Sequence, residues 1–85
     1  MSVRELKDAV MRVANEAQRS GEALNKSHQE LSGRGEKMRQ VLDGTGHGTD
    51  ATTAASIAEA LNAVADAKKD MDDAQRAAEN YAAQL

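Results

Sequence analysis

The chain has 85 residues, a net charge of −3, and no Cys, Trp, Phe or Pro. That length holds one small domain, and a single Tyr leaves it without the large aromatic side chains that build thick cores. Disulfide stapling is excluded, the basic footprint of a nucleic-acid binder is missing, and no apolar run nears the ~20 residues of a membrane span.

Charge is unevenly divided. Residues 1–42 carry eight Lys/Arg against six Asp/Glu, whereas residues 43–85 carry three against eight. The halves are thus +2 and −5, which favours their antiparallel pairing within one chain or with a like partner. Two long helices packed only on each other would be marginal. Association with another copy or another chain is the remaining source of stability.

Met1-Ser2-Val3-Arg4-Glu5 lacks the apolar stretch of a cleavable signal peptide. Ser2 to Glu5 reads as a capping box, so a first helix is expected from Val3. Alternating steps of three and four give a seam of Val3, Leu6, Val10, Val13, Ala17, Ser20, Leu24, Ser27, Leu31, Arg34, Met38 and Val41. It is apolar at every first position and polar in its middle at Ser20, Ser27 and Arg34. Pairs at i,i+4 along the outer face, such as Arg4–Asp8, Arg12–Glu16 and Lys26–Glu30, would each add about 0.2–0.5 kcal/mol. Gly33 and Gly35 either sit under a closely packed neighbour or kink the helix. The seam keeps its register across them, which favours continuity.

The predicted helix closes at Leu42, with Asp43-Gly44 as its stop. The stretch Asp43-Gly44-Thr45-Gly46-His47-Gly48-Thr49-Asp50 holds three of the six glycines and no apolar residue, and reads as the turn. Gly44, Gly46, His47 and Gly48 are its key positions. The string looks like the segment bearing the catalytic His of subtilisin-type proteases. Nothing else in the chain supplies the buried Asp, the Ser or the large scaffold that such chemistry needs. Asp43, His47 and Asp50 offer one imidazole on a loop, a poor zinc site. A phosphate cradle would need a preceding strand and a following Lys-Ser/Thr, and neither is present. No catalytic residue, metal or cofactor is therefore expected.

A second helix is expected from about residue 51, capped by Thr49 or Asp50, with Ser56 and Glu59 as a later capping box. Its seam reads Ile57, Ala60, Val64, Ala67, Met71, Ala74, Ala78, Tyr81 and Leu85, broadened by Leu61. Alanine at the alternate positions would let the two helices approach closely. His28 falls beside the first seam, and Met11, Met38 and Met71 read as packing residues. Tyr81, the only aromatic, either covers the open end of the hairpin near Val3 and Leu6 or is an exposed docking residue.

The expected architecture is all-α: an antiparallel, coiled-coil-like two-helix hairpin over residues 1–85, with helices of about 3–42 and 51–85, pairing into a four-helix bundle. The residues expected to form the partner interface are Val10, Val13, Leu24, Leu31, Met38, Ile57, Leu61, Val64, Met71 and Tyr81. A membrane-surface helix fits poorly with the acidic second half and its Ala-rich face.

A hairpin of two matched helices, a Gly-containing turn near residue 45 and a lone Tyr near residue 81 resembles the WxG, or ESX-type, family. The likeness is greatest to the Trp-less, Ala-rich small proteins of actinobacteria that accompany polymorphic toxins. Their Gly-Ser/Thr-Gly-His turn is matched by Gly44-Thr45-Gly46-His47, and their Tyr-x-x-x-Leu by Tyr81 to Leu85. The resemblance implies a non-catalytic partner or targeting factor for a type VII secreted effector. Such a protein is cytoplasmic before export and forms a homodimer, or a heterodimer with a helical partner such as a toxin's N-terminal domain. The Trp of the WxG turn is absent, and Leu85 stands where the family's secretion signal has an acidic residue. A partner carrying that signal would supply it. The alternative is a self-assembling structural bundle or filament subunit with no role in secretion.

Overall fold

A computed structural model describes residues 1–46 and 51–85. His47, Gly48, Thr49 and Asp50, and with them half of the expected turn and both candidate caps of the second helix, lie outside the described residues. Two helices account for nearly everything else: α1 (Val3–Gly44) and α2 (Ala51–Ala83). Gly21 lies beside Met71 and Asp72, and Gly35 beside Ile57. The early part of α1 therefore faces the late part of α2, and the pairing is antiparallel. The fold is the expected helical hairpin.

The molecule is a rod of 66 × 16 × 16 Å. A compact domain of this length would have a radius of gyration near 12 Å, whereas this one has 19.2 Å. The 42 residues of α1 account for the rod's length at 1.5 Å per residue.

α1 starts as its sequence predicts. The Ser2 hydroxyl accepts from the Glu5 amide at 3.0 Å, and the Glu5 carboxylate meets the same hydroxyl at 3.3 Å. The helix runs unbroken through Gly33 and Gly35. It passes the expected stop at Leu42 and ends two residues later. Gly44 is helical, and the left-handed residue is Gly46, with φ +78°. Its amide reaches the Asp43 carbonyl (3.1 Å), and the Thr45 hydroxyl bonds the Leu42 carbonyl (2.8 Å). These bonds satisfy carbonyls that a helix end leaves open.

The seam differs from the sequence reading in one systematic way. Away from the open end its first positions are as expected: Val10, Ala17, Leu24, Leu31 and Met38 in α1, and Ile57, Val64, Met71 and Ala78 in α2, are all wholly or half buried, whereas Val3 and Leu85 are exposed. Leu6 is half-buried as expected, but from there on the second positions fall one residue later than expected. In α1 they are Ala14, Gly21, His28, Gly35 and Leu42, not Val13, Ser20, Ser27, Arg34 and Val41. In α2 they are Leu61, which was expected to broaden the seam, Lys68, Gln75 and Ala82; Ala60, Ala74 and Tyr81 are exposed, and Ala67 shares its level with Lys68, both half-buried.

Fit explains the shift. Ile57 and the Met71 Cβ pack where α1 offers glycine, so larger side chains of α2 seat against a flattened α1 surface. Close approach therefore comes mainly from small residues of α1, whereas the sequence reading assigned it to alanines of α2. Val13 and Val41, each 58% exposed, are left outside the seam, as is Tyr81 at 49%. Tyr81 does not cover the hairpin's end; the neighbouring Ala82 takes the buried place, at 2%.

The surface ion pairs also differ from the expected set. In α2, Lys68–Asp72 (3.3 Å) and Lys69–Asp73 (3.6 Å) form at the i,i+4 spacing. Among the described residues of α1, the pairs present are instead Arg19–Glu16, Arg39–Glu36 and Arg39–Asp43. Exposed pairs of this kind contribute at most about 1 kcal/mol each, so the hairpin does not depend on which ones form.

Candidate interaction surface

What the hairpin leaves uncovered is the surface it can offer to another molecule. The only fully buried apolar residues are Ala14, Ala17 and Ala82, and no large side chain is fully buried among the described residues. Fully burying a Leu, Ile or Met contributes about 1.5–3 kcal/mol. Here Leu24, Leu31, Met38, Ile57, Leu61, Val64 and Met71 are each left partly exposed. One helix can shield just one flank of a seam side chain, and the other flank faces out on either side of the hairpin.

The two broad sides differ in chemistry. On one, Val13, Ala17 and Ser20 of α1 and Met71 and Ala74 of α2 line a shallow apolar groove, with Arg12 and Glu16 at its rim. Val13 and Ser20 each precede a second seam position by one residue, as does Ala74. Helical geometry places Leu6, Ser27, Arg34 and Val41 on the same side of α1, and Ala60, Ala67 and Tyr81 on the same side of α2. Residues three further along extend it outward: Glu16, Ala23, Glu30 and Lys37 from α1, and Ala63, Asp70 and Ala77 from α2. This side is dominated by alanine, serine and valine, with six charged residues toward its edges: Arg12, Glu16, Glu30, Arg34, Lys37 and Asp70.

At the same level, the opposite side is polar. Gln18, Glu22 and Asn25 face Lys68, Asp72 and Gln75 across the seam, and Arg76 and Glu79 continue the pattern. The Lys68–Asp72 pair lies over Gly21, with Asp72 Oδ1 3.4 Å from where a Cβ on that glycine would stand. Only near the turn does this side open into an apolar groove, where Gly35, Met38, Ala54, Ile57, Ala58 and Leu61 meet. Its rim is charged. Arg39 donates to both Glu36 and Asp43, and the hydrogen bond from Arg39 holds the Glu36 carboxyl below its ordinary range.

Of the residues expected at a partner interface, Val13 and Tyr81 are exposed on the small-residue side. Val10, Leu24, Leu31, Met38, Ile57, Leu61, Val64 and Met71 are half-buried in the intramolecular seam, each with an open flank. The sequence reading missed Ala14, Gly21, Gly35 and Ala82 as seam residues. The signal for two of them was present: Gly21 and Gly35 are two heptads apart, a spacing that marks one face of a helix. Of the expected turn residues, Gly44 and Gly46 are seen as described above, and His47 and Gly48 lie outside the described residues.

Among the described residues no group of three His, Asp or Glu side chains is placed to hold a metal ion, and no helix is long and apolar enough to cross a membrane. Comparison with family models, curated proteins and solved structures yields no match to this chain.

Proposed function

We propose that this chain is a non-catalytic protein–protein interaction module whose working state is a four-helix bundle, and that it serves as an ESX-like partner or targeting factor for a type VII secreted effector. One observation carries the first half: among the described residues, the isolated hairpin fully buries no large apolar side chain. A 66 Å rod whose seam of Leu, Ile, Val and Met stays partly exposed lacks the core of a self-sufficient domain. A second pair of helices would cover the open flanks. The second half of the proposal is supported by the sequence resemblance of the hairpin, its Gly44-Thr45-Gly46-His47 turn and Tyr81.

The test of pairing is the solution mass of the purified chain across a dilution series, with circular dichroism at each concentration. Helix lost together with mass on dilution supports obligate pairing. A poorly helical monomer that becomes helical on mixing with an exported protein's helical N-terminal domain supports a heteromer. A fully helical, cooperatively melting monomer at every concentration would overturn the pairing reading. The secretion reading is tested in a host with a type VII system. Absence of both the chain and any effector complexed with it from the exported fraction would sink that half alone.

A further inference from the structure

We infer that the small-residue side is a self-complementary docking face, on which a second copy of this chain lies antiparallel with Ser27 at the two-fold axis. The inference rests on the proposed pairing function and specifies its face, its occupant and its register.

Symmetry along α1 is the first argument. Val13 and Val41 are equally exposed, at 58%, and lie on the same side. Val13 is fourteen residues before Ser27 and Val41 fourteen after it. An antiparallel copy centred on Ser27 therefore sets each Val13 against the other copy's Val41. The hairpin's own packing gives neither valine a buried role, and this operation covers both. Ser20 falls opposite Arg34, and the residues around the crossing point (Ser20, Ala23, Ser27) are small enough for close helix approach. A two-fold interface must be self-complementary in this way.

Charge order is the second argument. Toward the open end of the rod this side carries Glu16 and Asp70, and toward the turn it carries Glu30, Arg34 and Lys37, so the first half is net negative and the second net positive. Antiparallel docking brings Glu16 of each copy beside Lys37 of the other. Asp70 falls against the other copy's Ala60–Ala63 stretch, away from its own equivalent. Docking with both turns at the same end leaves these charges unmatched. Opposite charges so placed fix register and orientation more than affinity.

Area is the third. A side of 66 by 16 Å offers roughly 1,000 Å² per copy, above the ~800 Å² per partner of a standard stable interface. The opposite side, with its Gln, Asn and ion-paired residues, would bury polar groups at greater cost.

The native chain has no cysteine, so single-cysteine variants read the geometry directly. Under mild oxidation Ser27→Cys should form a disulfide-linked dimer in high yield, because only a residue at the axis meets its own copy within bonding reach. Ser20→Cys, displaced from its equivalent by about 21 Å along the rod, and Asn25→Cys, on the polar side, should not. Val13→Arg should raise the dimer dissociation constant at least a hundredfold, and Asn25→Arg should change it less than threefold. Glu16→Lys should weaken the dimer, and Glu16→Lys with Lys37→Glu should restore it. A dimer by mass whose Ser27→Cys variant fails to cross-link overturns the register. Cross-linking through Asn25→Cys overturns the face. A chain that is monomeric alone yet helical with another protein overturns self-docking while leaving the proposed interaction function standing.

Discussion

Gly35 and Ile57 meet across the seam so closely that a Cβ on the glycine would stand 3.3 Å from Ile57 Cγ2. A Cβ on Gly33, two residues earlier, would have nothing within 4 Å. The two glycines share one helix and the same propensity penalty, about 1 kcal/mol each relative to Ala. Gly33→Ala should therefore stabilise the hairpin by about that amount. Gly35→Ala should gain nothing, because β-branched Ile57 has few rotamers into which it can retreat. Urea denaturation of the two variants under identical conditions measures this. Equal stabilisation by both would show that Ile57 yields freely and that Gly35 has no packing role.

Ala14 and Val13 make the same kind of test for the seam as a whole. Ala14 is 2% exposed and Val13 58%. Ala14→Leu adds three carbons where there is no room and should cost about 1–3 kcal/mol. Val13→Leu adds one carbon on an open surface and should leave the hairpin's own stability within about 0.5 kcal/mol. Melting at a concentration where pairing is saturated, and again well below it, separates hairpin effects from docking effects. If Val13→Leu were the costlier variant in dilute solution, the seam would run through Val13.

Why the sequence showed the hairpin but misplaced half its seam follows from these residues. The first-position series Val10, Leu24, Leu31, Met38, Ile57, Val64 and Met71 is periodic and large, and it led directly to two helices with the correct faces approximately inward. At the second positions hydrophobicity and fit disagree. Val13, Val41 and Tyr81 are more apolar than Ala14, Gly21 or Ala82, so a reading by hydrophobicity alone selects them. Packing selects the small residues, because two long helices gain contact by approaching closely. The turn shows the same limit. Both Gly44 and Gly46 permit a left-handed stop, and composition does not say which one the chain uses. The bonds of Thr45 and Gly46 to Leu42 and Asp43 decide it in the structure. The candidate interaction side was legible only at Val13 and Tyr81, which the sequence reading named at the partner interface; Ser20, Ser27 and Ala74 it had placed in the seam for the same reason.

At the other end of α1, Ser2 is extended (φ −78°, ψ 162°) and its hydroxyl accepts from the Glu5 amide. Ser2→Ala removes that acceptor and should cost about 1 kcal/mol, the usual value of an N-cap. Ser2→Asp should retain most of the stability, since a carboxylate can accept the same bond and also suits the positive end of the helix dipole. Hydrogen exchange at the Glu5 amide reports the change locally. Unchanged protection in Ser2→Ala would mean that the cap contributes nothing beyond what water supplies.

The Glu36–Arg39–Asp43 cluster gives the chain a defined acid response. The hydrogen bond from Arg39, aided by its charge, holds the Glu36 carboxyl below the ordinary glutamate value. A folded-state pKa below the unfolded one means that the folded form prefers the ionised carboxylate. Glu36's contribution is therefore fully present above the unfolded pKa of about 4.3. It is lost as pH falls from there through the depressed folded value. Both partners are solvent-exposed, so the consequence for global stability is small. The local readout is sharper. NMR titration of the Glu36 side chain should give a midpoint below that of a free glutamate, and Arg39→Gln should move it back up. The cluster sits on the rim of the turn-end groove, away from the proposed docking face. Arg39→Gln should accordingly leave the dimer dissociation constant unchanged while it shifts the Glu36 titration. A variant that shifted both would place the partner on the wrong side of the hairpin.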